Sequence, residues 1–158
     1  MEREMRRKDR LVTDRAWMDA VLGEAEVLEL AMTGSDGWPY VVPMGFGYDG
    51  KSLYFHGAAQ GKKSDILAEN PKACFQIFLD AEVERSEEGN DFDAKYRSVT
   101  GFGKVTALTD LDEKNEALAI LMKHYDGPHT PLKEENHARV WVARLDIEHM
   151  TGKYYAGK

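Results

Sequence analysis

An antiparallel β-barrel carrying peripheral helices is the fold class that this sequence predicts. Three observations predict it. About six runs have strand character, most of them joined by hairpin-length links. Only three runs have helical character. Strands and helices do not alternate regularly, which argues against a parallel doubly wound sheet and for a closed or nearly closed antiparallel barrel.

The first helical run starts near Thr13, which can cap it, and places Trp17, Met18, Val21 and Leu22 on one face. The period then falls to two. Leu28, Leu30 and Met32 alternate with Glu29 and Ala31, as in a half-buried strand. Ser35-Asp36-Gly37 is a turn signal. Tyr40 to Tyr48 is a second strand, and Pro43 within it marks an edge, a bulge or a ligand-facing stretch. Asp49-Gly50 is the strongest hairpin signal and leads into Leu53-Tyr54-Phe55-His56.

A Gly/Ala loop then precedes a short helix over residues 62–69, stopped by Asn70-Pro71. Cys74 to Leu79 is apolar on both faces and predicts a central strand. Residues 80–93, rich in Asp and Glu, predict a solvated loop. Tyr96 to Leu108 predicts a long strand, with Gly101 and Gly103 where something approaches closely or the sheet bends. Asp110 and Glu113 predict a capping box for a helix whose buried side is Leu111, Leu118, Leu121, Met122 and Tyr125, ended by Gly127-Pro128. Val140 to Glu148 is the last predicted strand.

The chain has 158 residues, the size of one domain. Residues 1–12 predict a loose charged arm, and residues 13–158 a single domain. A net charge of −7 argues against a broad nucleic-acid surface and against attraction to anionic membrane. The lone Cys74 excludes an internal disulfide and a cysteine metal cage. The charged first ten residues lack the apolar segment of a secretory signal, and no run approaches transmembrane length, so the expected location is the cytoplasm.

One constellation carries chemistry. In His56-Gly57-Ala58-Ala59-Gln60-Gly61-Lys62-Lys63-Ser64, a strand ends, a loop of small residues follows and a helix starts with two lysines. Free N–H groups at a helix start attract an anion, whereas lysines in a first turn oppose the helix dipole. A phosphate bound there reverses that penalty. The run is one residue short of the P-loop spacing and follows a hairpin strand, so it points to the phosphate of a bound cofactor and not to nucleotide hydrolysis. His56 ends its strand on the face of Tyr54 and is the histidine nearest this loop. His124, His129, His137 and His149 show no zinc-site spacing, and Cys74 sits mid-strand as a buried thiol. Trp17 and Trp141 are expected in the core, and Trp38 on a pocket rim.

Six segments in this order carry a resemblance. They are Pro39-Tyr40-Val41-Val42-Pro43-Met44, Leu53-Tyr54-Phe55-His56, Gly61-Lys62-Lys63, Asn70-Pro71 with Cys74-Phe75, Lys95 to Gly103, and Met150-Thr151-Gly152-Lys153. From about Thr13 to Lys153 the chain resembles the flavin-binding split-barrel proteins related to pyridoxamine 5′-phosphate oxidase. Within them it is most similar to the Nim-type (5-nitroimidazole resistance) branch. The resemblance implies a six-stranded split barrel holding FMN at a homodimer interface. Val41, Val42, Pro43 and Met44 match the strand along the flavin ring. His56, Gly57 and Ala58 match the strand end beside the ribityl chain, and Lys62 and Lys63 match the phosphate pair. Arg97, Ser98 and Val99 match the strand contributed by the partner subunit. The resemblance also makes His56 the candidate catalytic residue for reducing small aromatic or nitro compounds. Pyridoxamine phosphate oxidases carry a basic residue where this chain has Phe46, and an Arg-rich C-terminal signature that Tyr154-Tyr155-Ala156-Gly157-Lys158 lacks, which argues against pyridoxamine phosphate as substrate. A non-catalytic flavin carrier or sensor is the alternative function, and haem or a deazaflavin the alternative ligand.

Overall fold

The computed structural model describes residues 5–87 and 92–157. Among these, the elements are β1 (Leu11–Val12), α1 (Arg15–Glu24), β2 (Val27–Thr33), β3 (Pro39–Gly45), β4 (Gly47–Tyr48), β5 (Ser52–Ala58), α2 (Lys62–Glu69), β6 (Lys72–Glu84), β7 (Asp93–Ala107), α3 (Leu111–His124) and β8 (Val140–Tyr155). One sheet runs in the order β3-β2-β6-β7-β8-β5-β4, with β1 added to β8. Every pairing is antiparallel. The sheet coils without closing, because no ladder joins β3 to the β5–β4 edge. The antiparallel barrel with peripheral helices is therefore present, in its open form.

Eight strands replace the expected six. The additions, β1 and β4, have two residues each and are too short to show a period. The Tyr40–Tyr48 run divides at Phe46, which turns fully inward and lies against His124, with ring centroids 4.6 Å apart. Phe46 thus serves packing. Residues 11 and 12, assigned to the loose arm from sequence, pair with Lys153 and Gly152. Arg10 reaches Asp93 at 2.6 Å and stacks on Tyr155.

Two further boundaries move. The expected acidic loop over 80–93 is largely a hairpin: β6 continues to Glu84 and pairs with Asp93–Lys95 past a bulge at Asp80, whose φ is +56°. Glu88 and Asp91 lie outside the described residues. The last strand continues past Glu148 to Tyr155, pairing with Tyr96–Phe102. The α1 cap is Asp14, which accepts from the Ala16 N–H, and not Thr13. Asp110 caps α3 as expected, accepting from Asp112 and Glu113. Tyr125, expected on the buried face of α3, is partly exposed but fixes the helix end. Its hydroxyl accepts from the Phe46 N–H and donates to the Glu26 carbonyl.

The core follows from the register. Transverse rows place Val42, Leu30, Phe75, Gly101 and Met150 side by side on the inner face, where alternation directs their side chains. Leu28, Leu53, Phe55, Ile77, Val99 and Leu145 complete the interior and are fully buried. Met18, Val21 and Leu22 of α1 close one end. Trp17 and Trp141 are only partly buried but pack against this core. Pro43 lies on an edge strand, the part of a sheet where proline is tolerated. Among the described residues no helix is long and apolar enough to cross a membrane.

Candidate functional site: a lysine-topped gap at the split of the barrel

The gap between β3 and β5 is where the sheet fails to close, and α2 lies at its mouth. Gly61, at φ +143°, turns the chain into α2 in a conformation that disfavours a side chain. The helix begins with Lys62 and Lys63. Only the Asp65 N–H returns to the Gly61 carbonyl, which leaves the first N–H groups of α2 without helical acceptors.

The two lysines reach toward different points of β3. Lys63 Nζ lies 3.3 Å from Met44 Sδ and 4.7 Å from the Trp141 ring. It also occupies the space above Gly57, where a Cβ would fall 2.9 Å from it. Lys62 Nζ sits 4.9 Å over the Tyr40 ring. Neither ammonium has a carboxylate within salt-bridge reach among the described residues. Burial pushes the Lys63 pKa below its ordinary value. A half-buried cation without a counter-ion is costly, and an anion would relieve that cost.

The structure thus brings Met44, Gly57 and Lys63 together, with Val42 on the Met44 side of β3, and sets Lys62 farther along the same strand. Tyr40 and Trp141 join them; the sequence sets Tyr40 in the same run as Val41 and Trp141 in the core, and no local signal marks either as facing a lysine. Val41 and Pro43 project from the other face. His56 and Ala58 sit across β5 from Gly57. Leu53 and Phe55 point inward, so alternation turns the exposed His56 imidazole outward with Tyr54. Tyr54 donates to Asp49 and is pushed up to about 12, by burial first and that carboxylate second.

The Arg97–Val99 segment lies elsewhere in this subunit. Arg97 ties Glu24 of α1, at 2.6 Å, to Asp80 of the bulge, and these two carboxylates hold its pKa above the ordinary value. Ser98 is buried beside Phe78 and Lys153 on the outer face, and Val99 is fully buried in the core. Cys74 is half-buried, and burial pushes its thiol up, as fits an inert position.

An open antiparallel barrel with a cationic helix start at its split defines the class. The chain belongs to the pyridoxamine 5′-phosphate oxidase family, whose model matches residues 14–154. Solved structures agree. A candidate 5-nitroimidazole antibiotic resistance protein from Bacteroides thetaiotaomicron is 29% identical over 90% of this chain and 85% of its own, with a TM-score of 0.80, and supports the Nim-type branch. An FAD-binding protein from Mesorhizobium loti is 26% identical over 93% of this chain and 98% of its own, at 0.66. An FAD and heme binding protein from Mycobacterium smegmatis shares the fold at 0.83, with 23% identity over 94% of this chain and 74% of its own. Comparison with curated proteins gives no match.

Proposed function

We propose that this chain binds a flavin through its riboflavin-phosphate portion and serves as a flavin-dependent oxidoreductase of small aromatic or nitro compounds. One observation carries the reading: two lysines with no carboxylate partner among the described residues, and the first N–H groups of α2, lie at the mouth of the barrel split. The resistance protein and the flavin-binding relatives support it. The residues fit the group. Lys62, Lys63 and the α2 N–H groups would hold the phosphate. Among the described residues β3 pairs with β2 alone, so its other edge offers the outward-facing backbone groups of Val41–Met44, Pro43 lacking an N–H, to a planar heterocycle.

A bound flavin supplies two-electron transfer to a flat acceptor stacked on its ring. The protein supplies position and charge. His56 is proposed as a proton donor to an acceptor arriving from solvent. Its place across β5 from Gly57 and Lys63 separates that role from cofactor anchoring. His56→Ala therefore lowers turnover and leaves flavin affinity unchanged.

We also propose a homodimer. Val41, Ala31, Cys74 and Phe102 form one transverse row on the outer face, and Val41 and Phe102 are each about half exposed. Such an uncharged stripe on a sheet suits a second copy of the chain. FMN titration of the wild type and of the Lys62→Ala, Lys63→Ala double variant tests the site. The expected loss is about a hundredfold in affinity, from two charge-assisted contacts. Equal affinity would place the phosphate elsewhere.

A further inference from the structure

Lys62 and Lys63 are each seated on an aromatic face. Lys62 Nζ lies 4.9 Å from the centre of the Tyr40 ring, and Lys63 Nζ lies 4.7 Å from that of Trp141. Both distances are within reach of a cation–π contact. The other neighbours of Lys63 are uncharged too. Its acceptor is the Met44 thioether, at 3.3 Å, and a thioether accepts weakly. Gly57 stands directly opposite Trp141 in the β5–β8 ladder, and its missing side chain leaves the space that the Lys63 ammonium takes.

Packing alone does not call for these two rings. Tyr40 lies on the edge strand β3 and is only partly buried. Trp141 packs on the core, but it also borders an open pocket of about 540 Å³ together with Leu67, Val105 and Ala107. By contrast, Arg10, Arg15, Arg97 and Arg144 are each tied to a carboxylate. The difference has a chemical consequence. A carboxylate holds a lysine but cancels its charge. A ring face limits where the side chain goes and leaves the positive charge to attract an anion.

We infer that Tyr40 and Trp141 are positioning residues of the phosphate site: their ring faces hold Lys62 and Lys63 at the barrel split with the charge of both left uncompensated. The inference rests on the flavin reading above and adds residues that act on the phosphate through the lysines. The ring face carries the role, and not the tyrosine hydroxyl or the indole N–H.

The test is titration of the full-length protein, stripped of ligand, with FMN and separately with riboflavin, which lacks the phosphate. The wild type is expected to bind FMN the more tightly. Trp141→Leu is expected to weaken FMN about tenfold and Tyr40→Leu about threefold, the difference between a half-buried and an exposed cation–π contact. Riboflavin affinity stays unchanged in both. Trp141→Phe and Tyr40→Phe keep a ring face and retain most of the FMN affinity. A second measurement leaves the indole in place. In proton–carbon NMR of the ligand-free wild type, the Lys63 εCH2, identified by its loss in Lys63→Arg, is expected upfield of the other lysines because the ammonium sits over the indole. A position among the other lysines overturns the inference. So do unchanged FMN affinity in the leucine variants, equal losses in the leucine and phenylalanine variants, and a riboflavin affinity that falls together with that for FMN, which marks a packing defect. All of these spare the flavin reading. A wild type that binds neither ligand overturns both.

Discussion

Gly101 stands opposite Phe75 across the β6–β7 ladder, and a Cβ placed on it would fall 2.4 Å from the phenyl ring. The ring occupies the volume that a side chain at Gly101 would take, and Phe75 is fully buried. Gly101→Ala is expected to destabilise the fold by about 1–3 kcal/mol through overpacking. Gly103→Ala meets the Asp146 carbonyl at 2.1 Å, where only backbone movement gives room, and is expected to cost more. Chemical denaturation of both variants measures this. A change within about 0.5 kcal/mol for either would contradict the packing described.

The Tyr125 hydroxyl joins α3 to two backbone positions, Phe46 N–H at 2.9 Å and Glu26 C=O at 2.6 Å. Tyr125→Phe leaves both without this partner and is expected to cost about 1–3 kcal/mol. Urea unfolding at neutral pH reads it, with the largest loss of hydrogen-exchange protection at Phe46.

The strand starts and α2 were legible because punctuation flanks them. Gly61 and Asn70-Pro71 bracket residues 62–69, and the helix occupies that span. Gly101 and Gly103 announced close approach, and each has an atom within 2.5 Å of a would-be Cβ. The extension of β6 through Asp80–Glu84 was not legible. Its side chains are almost all solvent-facing, so no apolar alternation marks it, and its pairing with Asp93–Lys95 comes from the other arm of the hairpin. The tail to Tyr155 is held by β1 and β7, distant in sequence. In the site, Lys62 and Lys63 were legible from local context. The tie of Arg97 to Glu24 joins residues 73 apart, and nothing local records it. His56 stands next to Gly57 in sequence but on the other face, the ordinary result of a two-residue period.

With the proposed flavin site at Lys63, binding is expected to be pH-dependent. Burial lowers its folded-state pKa, so the unfolded chain holds that proton to higher pH than the folded one. Between the two values the unfolded state binds more protons, and stability rises with pH. Phosphate affinity moves the other way, because the ammonium is lost as pH rises through the same window. Binding FMN or FAD there restores the charge and takes up a proton. Calorimetry in two buffers of different ionisation enthalpy is expected to show uptake in alkaline solution for the wild type and none for Lys63→Ala. Equal heats in both buffers for the wild type would contradict it.

Asp93 anchors the N-terminal residues through Arg10 at 2.6 Å. That guanidinium is the main cause that holds the Asp93 carboxyl at about 2. A lowered carboxylate pKa stabilises the fold above the ordinary carboxylate range and ceases to do so as pH falls toward about 2. Asp93→Asn is expected to remove this acid sensitivity and to expose the peptide bond after Arg10 to trypsin. Cleavage no faster than in the wild type would show that β1 pairing alone holds the segment.

The outer-face stripe predicts self-association. Phe102→Asp places a charge beside Cys74 at one end of the row and is expected to yield a monomer in sedimentation, with the melting temperature of the isolated chain retained. A dimer that survives this change would move the interface to another surface.

The most direct test of the central claim is the visible absorption spectrum of the purified chain, taken after saturation with FMN or FAD and gel filtration. A retained flavin band near one per chain is the predicted result. A colourless protein after exposure to both would contradict a flavin site at Lys62 and Lys63.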